Sequence, residues 1–132
     1  MANPNIAGSS TTIYGVTTYL TPSATTAVVL LPNAASSGTV MKINQIVATN
    51  VSGSAAVNAT VSIYTNGAVA QNSAPAGGTA YPIASAVSVP AGASLIVVDK
   101  TSALYLMEGT SITVTSGTAS GITYSISYEL IA

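Results

Sequence analysis

Apolar and polar residues alternate one by one along most of this chain. The pattern is clearest between residues 122 and 130, where apolar side chains at even positions, among them Tyr124 and Tyr128, are separated by polar ones at odd positions. A period of two places the two sets on opposite faces of a β-strand. No segment has the spacing of three and four residues that a helix needs. The sequence therefore predicts an all-β protein, with Tyr124 and Tyr128 on the core side of the last strand.

Further segments of this kind, separated by Gly, Pro, Asn and Ser, predict eight to nine strands. They span residues 12–20, 27–31, 40–51, 57–64, 83–89, 95–98, 104–106, 111–115 and 122–130. This number of short strands, with turns every eight to twelve residues, indicates a sandwich or barrel. We expect a single antiparallel β-sandwich, jelly-roll-like, that forms one domain over residues 1–132 and carries an extended N-terminal arm at residues 1–10.

Two turns carry specific expectations. Residues 116–121 are rich in Ser and Gly, which predicts that they close a C-terminal hairpin over residues 110–131. Asn66 and Gly67 form the dipeptide that best fits a two-residue hairpin turn. We therefore expect the chain to reverse there into residues 68–71 and then to form an exposed loop as far as residue 80.

The strand at residues 40–51 has a break in its alternation. The apolar residues Met41, Ile43, Val47 and Val51 share one side, and Ile46 falls on the other. One extra residue in a strand shifts all later side chains to the opposite face. We therefore expect either a β-bulge or burial on both faces here.

Charged residues are nearly absent. They make up 4% of the chain, where about 25% is typical, and there is no His, Cys, Trp or Phe. Most enzymes need a proton carrier, a metal ligand or an activated nucleophile, and the side chains that supply these are missing or scarce. The sequence predicts a protein that is not an enzyme, with no catalytic residue, no cofactor and no metal site.

The three acids are the candidate ligands for a hard cation, which prefers carboxylate and carbonyl oxygens. Asp99, Glu108 and Glu129 have a spacing that matches no metal-binding loop, and nothing indicates that two of them converge. We expect Glu108 to lie at a turn and Asp99 to lie beside Lys100 in a solvated loop or an interface.

The sequence also limits which partners and which cellular compartment can be expected. Two lysines cannot neutralise a phosphate backbone, so we expect no nucleic-acid binding. The first residues show no secretory signal, and the longest aliphatic run, residues 27–31, is too short to cross a bilayer. We expect synthesis in a cytoplasm and no membrane association. Asn50 and Asn58 match the glycosylation acceptor pattern, which we interpret as chance in such a protein.

The low charge favours self-association. Soluble monomers normally keep roughly a quarter or more of their surface charged, whereas this chain builds its polar surface from 18 Ser, 18 Thr and eight Asn. Neutral side chains cost far less than ions to desolvate when a partner covers them. With 48% hydrophobic residues the chain is too apolar for disorder, so a folded homo-oligomer is expected, a trimer among the possible forms.

Four further tyrosines could serve an interface or a sugar-binding platform. Tyr14, Tyr19, Tyr64 and Tyr81 lie in segments whose pattern does not fix their faces. The Trp and the acidic hydroxyl acceptors of a typical sugar site are missing. The pattern thus favours ordinary strand or interface roles over sugar binding.

The last third of the chain resembles a known group. Residues 89–112 read VPAGASLIVVDKTSALYLMEGTSI, and residues 124–131 read YSISYELI. These segments resemble small virion structural proteins of tailed bacteriophages, especially marine and cyanobacterial ones. The resemblance implies that Glu108 and Glu129 are structural turn and edge residues and that no catalytic or cofactor site exists. Residues 111–127 depart from the group, whose members carry more acids there.

Together these observations predict a virion structural protein, most compatible with a capsid decoration or cement protein that forms a small symmetric oligomer and binds the major capsid protein. A neck, tail or fibre component of the virion fits nearly as well. A subunit of a self-assembling surface filament and a secreted glycan-binding module are the alternatives from other classes.

Overall fold

A computed structural model describes residues 12–102 and 104–132, so the predicted N-terminal arm at residues 1–10 lies outside the described residues. Nine strands lie within them, together with one 3₁₀ turn at Lys100–Ser102 and no α-helix. The strands are β1 (Ile13–Leu20), β2 (Val28–Asn33), β3 (Val40–Asn50), β4 (Val57–Tyr64), β5 (Ala80–Val89), β6 (Ser94–Val98), β7 (Leu104–Leu106), β8 (Thr110–Ser116) and β9 (Ile122–Ile131). Each predicted strand is present, and most ends agree within about three residues.

The strands form two antiparallel sheets. Sheet A has the order β1-β9-β3-β6, with β7 also paired to β3, and sheet B has the order β2-β8-β4-β5. The pairs are nested along the chain: β1 with β9, β2 with β8, β3 with β6 and β7, and β4 with β5. With β6 and β7 counted as one interrupted strand, this order is that of an eight-stranded jelly roll. The predicted jelly-roll-like β-sandwich is confirmed.

The core lies between the sheets and is made from the inward side chains of both. Sheet A contributes mainly β3 and β9, and sheet B contributes mainly β4 and β8, because these are the central strands. Its largest fully buried side chains include Leu30, Ile43, Ile46, Ile112, Ile122, Tyr124 and Ile126. The alternation predicted for the last strand is thus confirmed, with Ser125 and Ser127 on the opposite, partly exposed face.

The predicted C-terminal hairpin over residues 110–131 is wrong. β8 pairs with β2 and β4 in sheet B, whereas β9 pairs with β1 and β3 in sheet A. The connection at residues 117–121 therefore crosses from one sheet to the other. Both strands carry a buried apolar face, and packing the two faces against each other across the core buries more than pairing the strands edge to edge.

The predicted reversal at Asn66 and Gly67 is also wrong. β4 pairs directly with β5, and the connection at residues 65–79 is a long loop, with no strand at residues 68–71. The loop crosses sheet B instead of turning back, and a Cβ on Gly67 would collide with the carbonyl oxygen of Asn33 and lie 2.6 Å from that of Thr110. Glycine is needed here for a close approach of backbones, which overrides the turn preference of the dipeptide.

The loop at residues 65–79 covers part of the outer side of sheet B. The Ser111 hydroxyl donates to the Asn66 carbonyl at 2.9 Å, and the Gly78 N–H donates to the Tyr64 hydroxyl at 3.0 Å. Outward side chains that would face solvent are therefore buried, Ser111 and Thr113 among them. Sheet A has no comparable cover among the described residues.

The break in β3 is a β-bulge, as expected. Its register with β9 shifts between Ile43 and Gln45, so Asn44 is the extra residue. Ile43 and Ile46 therefore both point into the core and are fully buried. The face assigned to Val47 and Val51 is wrong, because both follow the bulge: Val47 lies on the outer side of sheet A, and Val51 is exposed beyond the strand.

Candidate interaction surface

A broad open surface among the described residues is the outer side of sheet A, here called the outer A face. We define it by thirteen of the side chains that the register places opposite the core: Thr17, Tyr19, Lys42, Gln45, Val47, Thr49, Ser94, Ile96, Tyr105, Thr123, Ser125, Ser127 and Glu129. At its margin Ile13 lies on the same side, whereas Val40 and Ile131 on that side are buried. The outer A face crosses the whole width of the sheet. Only two of its thirteen side chains carry a charge.

An apolar row crosses the outer A face from edge to edge. Tyr19 pairs with Ser125, Ser125 pairs with Val47, and Val47 pairs with Ile96. Paired residues on one face lie side by side, so these four side chains form a continuous line. Tyr19 is 73% exposed and Ile96 is 58% exposed, although both are large and apolar. Val47 and Ser125 between them are half-buried, and Ser125 is the one polar member of the row. A largely apolar line with exposed ends and a neutral rim is typical of the centre of a protein interface.

Hydroxyl pairs flank this row on both sides. The side-chain oxygens of Thr17 and Ser127 lie 2.9 Å apart, and those of Thr49 and Ser94 lie 3.0 Å apart. Each hydroxyl thus has a partner on its own surface. Such groups lose little when water is removed, because their hydrogen bonds remain in place.

The only ion pair on the outer A face joins Lys42 and Glu129, with 4.0 Å between Nζ and Oε2. The residues are register neighbours on β3 and β9, and Tyr105 lies on the far side of Lys42. An exposed pair of this length contributes about 0–1 kcal/mol. The pair cancels the charge of the face, so it leaves the surface nearly neutral.

The structure brings no three acids together. Asp99 accepts hydrogen bonds from the side chains and backbone N–H groups of Thr101 and Ser102, and the pKa of its carboxyl is lowered by the side-chain bond to Thr101 first and then by that to Ser102. Glu108 lies in the turn between β7 and β8 and accepts the Gly38 N–H at 2.8 Å. Within residues 12–102 and 104–132 no group of three His, Cys, Asp or Glu side chains could hold a metal ion.

The four tyrosines considered for sugar binding do not form one platform. Tyr64 is buried, and its hydroxyl is bonded to the loop over sheet B. Tyr81 is exposed on β5 in sheet B, whereas Tyr14 and Tyr19 are exposed on β1 in sheet A. The three exposed rings are therefore divided between the two sheets.

The two glycosylation patterns differ in their surroundings. Asn50 is 1% exposed, and its side chain donates to the Ala55 and Val89 carbonyls at 2.9 and 2.8 Å and accepts the Ser52 N–H at 2.8 Å. Asn58 is exposed on β4. The Asn50 amide is thus fully engaged in holding neighbouring segments together and is not open to modification in the folded chain.

The sequence analysis missed the apolar row. The alternation places Val47 on the same side as Met41 and Ile43 because it does not give the position of the bulge, and Ile96 lies in a run of four apolar residues that has no alternation. In such a run, no periodic signal distinguishes an exposed side chain from a buried one. The row became visible only when the register of β1, β9, β3 and β6 was known.

No cavity for a small molecule is found in the part of the chain that the structure describes. No helix there has the length and apolarity to span a membrane. Comparison of the chain with protein-family models, with curated proteins and with solved structures gives no match.

Proposed function

We propose that this chain is a non-enzymatic structural protein of a virion, and specifically a capsid decoration or cement protein that binds the major capsid protein through the outer A face. The observation that carries the proposal is the nearly neutral, largely apolar row across sheet A, whose ends Tyr19 and Ile96 are exposed among the described residues. The resemblance of residues 89–112 and 124–131 to small phage virion proteins supports it, and so does the jelly roll, an architecture common in capsid proteins.

A face of this kind suits attachment to a regular lattice of protein. Its hydroxyls are paired with each other and its one ion pair is neutral overall, so covering it removes little favourable hydration. Each square ångström of apolar surface covered is worth roughly 25 cal/mol before the cost of association. Shape and apolar contact, rather than charge steering, would then hold the subunit on the capsid.

The test uses two matched variants. Ile96→Asp places a carboxylate in the apolar row, and Ile83→Asp makes the same change on β5 in sheet B, where Ile83 is 40% exposed. Both should fold, since both side chains lie at the surface. Purified proteins are mixed with phage capsids that lack this subunit, and binding is measured by co-sedimentation. We expect Ile96→Asp to weaken binding by about tenfold or more, because a carboxylate would be buried without a partner, and Ile83→Asp to bind like the parent chain.

The other outcomes identify the alternatives. Binding to isolated necks, tails or fibres in place of capsids would assign the chain to another virion site. Polymerisation into filaments would favour the surface-filament subunit. Failure to bind any virion part, together with retention on a glycan array that depends on an exposed tyrosine, would replace the proposal with the glycan-binding module.

A further inference from the structure

Each sheet has two outer edges, and three of the four edges are protected from pairing with another strand. At the edge of sheet B formed by β2, the Val29 N–H donates to the Ser73 carbonyl at 3.0 Å and the Val29 carbonyl accepts the Asn72 N–H at 2.8 Å. The loop at residues 65–79 therefore occupies the hydrogen-bonding positions of this edge. A strand from another molecule would have to displace it.

The other edge of sheet B is protected by irregularity. β5 contains Pro82, which has no N–H to donate, and its register with β4 shifts twice. Ala86 has a φ of 47°, which bends the strand out of the extended conformation. Proline and bulges at an edge are recognised devices against edge-to-edge pairing.

The edge of sheet A opposite β1 is protected by interruption. β6 has five residues and β7 has three, and the 3₁₀ turn at Lys100–Ser102 lies between them. Neither segment offers a long row of parallel hydrogen-bonding groups. Short edge strands are a further device of the same kind.

β1 forms the fourth edge. The loop at residues 65–79 contacts it through one side-chain bond, from the Gln71 amide to the Thr18 hydroxyl at 3.0 Å, and no described residue bonds to the open backbone groups of Ile13, Gly15, Thr17 and Tyr19. β1 is eight residues long, its register with β9 has no shift, and its sequence IYGVTTYL contains neither a proline nor a charge. Long, regular and neutral edge strands are the ones that pair with other chains.

The backbone groups that β1 leaves open are defined by its pairing with β9. Thr12 exchanges two hydrogen bonds with Ala132, each 2.9 Å long. Backbone groups of an antiparallel strand point to alternate sides, so those of even-numbered residues face β9. The N–H and C=O groups of Ile13, Gly15, Thr17 and Tyr19 therefore face the open edge, and no described residue bonds to them.

We propose that two copies of this chain pair through β1, antiparallel, about a two-fold axis that passes by Val16. In this register Ile13 pairs with Tyr19 of the second copy, and Gly15 pairs with its Thr17. Among the two-fold registers, only this one lets all four open residues of each copy form hydrogen-bonded pairs, each exchanging two bonds. Sheet A then continues from one molecule into the next.

The side chains agree with a second copy as the occupant. On the outer A face the exposed Tyr19 ring lies beside Ile13 of the other molecule, an aromatic–β-branched pair that stabilises antiparallel strands. On the inner side, Val16 meets Val16 across the axis. No charge lies on β1, so the symmetric contact brings no like charges together. The inference goes beyond the proposed function and holds whatever else the protein assembles with.

The expected dimer depends on concentration. A single pair of eight-residue strands covers less than the roughly 1,600 Å² of a standard interface. We therefore expect sedimentation to show monomer at low micromolar concentration and dimer as the concentration rises towards about 1 mM. A chain that stays monomeric over this range, or one that forms a closed trimer, overturns the proposal.

A proline substitution tests the open edge without disturbing the pairing with β9. Thr17→Pro removes an N–H that faces the open edge and is not used within the molecule, whereas Thr17→Val keeps that N–H. Both variants lose the bond to Ser127, so they are matched in this respect. We expect Thr17→Pro to weaken dimerisation by about tenfold or more and Thr17→Val to change it by less than about threefold. Equal effects of the two variants overturn the proposal.

Cysteine crosslinking tests the register. The chain has no cysteine, so single introduced thiols give an unambiguous product. Val16→Cys brings two thiols together at the two-fold axis, where paired Cα atoms lie about 4.5 Å apart, within the range of a disulfide. Thr18→Cys is the control, because Thr18 faces Tyr14 of the other copy. With a mild oxidant we expect Val16→Cys to form covalent dimers at least about tenfold faster than Thr18→Cys, and similar rates would overturn the proposed register.

Discussion

The hydroxyl of Tyr124 in sheet A donates a hydrogen bond to the backbone carbonyl of Thr115 in sheet B. The same oxygen accepts the N–H of Thr60 at 3.2 Å. β4 and β8 therefore both contact one side chain from the opposite sheet. Tyr124 is fully buried, and its ring fills the core while its hydroxyl joins the two sheets.

Removal of this hydroxyl should destabilise the fold. Tyr124→Phe leaves the Thr115 carbonyl and the Thr60 N–H with one partner fewer in a buried place, at a cost of about 1–3 kcal/mol in the free energy of unfolding. Tyr128→Phe is the control, because the Tyr128 ring is half-buried and no hydrogen bond of its hydroxyl is seen among the described residues. Urea denaturation of both variants provides the measurement. Equal losses in the two would show that the inter-sheet bonds contribute little.

The same residue should make stability fall at alkaline pH. Burial raises the pKa of Tyr124 from 10.0 to about 12, because the folded state favours the neutral hydroxyl. The stabilisation is complete below pH 10 and is lost as the pH rises from about 10 to about 12, at up to roughly 1.4 kcal/mol per pH unit. The free energies of unfolding of the parent chain and of Tyr124→Phe, measured by denaturation, should therefore converge over this pH range. A difference that stays constant between pH 9 and pH 12 would contradict the prediction.

Two asparagines in the same sequence pattern should respond in opposite ways. In the parent chain the Ala55 and Val89 carbonyls accept hydrogen bonds from the Asn50 amide. Asn50→Asp places a carboxylate against these carbonyls, so we expect the free energy of unfolding to fall by about 2–4 kcal/mol at pH 7. Asn58→Asp changes an exposed side chain and should cost less than about 0.5 kcal/mol. Thermal and chemical denaturation would measure both. Comparable stability of the two variants would mean that the Asn50 amide is not required.

The close approach of the loop to sheet B should be sensitive to a single methyl group. Gly67→Ala forces a Cβ against the carbonyls of Asn33 and Thr110, which belong to the backbone and cannot rotate away. We expect the free energy of unfolding to fall by at least about 2 kcal/mol, because of strain and displacement of the loop. Gly53→Ala is the control, since no atom lies within 4 Å of its added Cβ. Unchanged stability of Gly67→Ala would mean that the loop can shift at little cost.

Association should be insensitive to salt. The outer A face contains one charged pair, Lys42 and Glu129, and β1 contains no charge. Raising the salt from about 0.1 to 1 M shortens the Debye length from about 10 to 3 Å, which affects charges and little else. Dissociation constants for dimerisation and for capsid binding should change by less than about threefold, as measured by sedimentation. Marked weakening by salt would give these two residues a dominant role.

Local patterns in the sequence determined the strands but not their partners. The alternation in β4 and β9 depends on each residue's own neighbours, so it could be recognised directly. The pairing of β8 across the sandwich depends on contacts distant in sequence, and the short connection at residues 117–121 could serve a hairpin or a crossing equally well. The hairpin turn predicted at Asn66 and Gly67 was wrong for the same reason, since a contact with Asn33, distant in sequence, determines the conformation of this dipeptide.

The candidate surface was predictable in character but not in position. Composition alone predicted a neutral, hydroxyl-rich exterior, because in a chain with so few charged residues the 36 Ser and Thr residues must supply most of the polar surface. The position depended on two facts outside the sequence pattern: the bulge at Asn44, which turns Val47 outward, and the loop that buries Ser111 and Thr113 on sheet B. Composition therefore predicted neutral surface on both sheets, whereas in the structure the loop covers part of sheet B and leaves β5 and the outer A face exposed.

The nested order of the strands has a consequence for the newly made chain. Only β4 and β5 are both neighbours in sequence and partners in a sheet, and the outermost pair joins Thr12 to Ala132. A ribosome adds about 5–20 residues per second, so β1 waits roughly 5 to 25 s after its own synthesis before β9 exists. During that time both edges of β1 are open, and its lack of charge offers no protection from other nascent chains. Translation speed and chaperone binding at the N-terminal strand are thus expected to decide how much of the protein reaches its folded state.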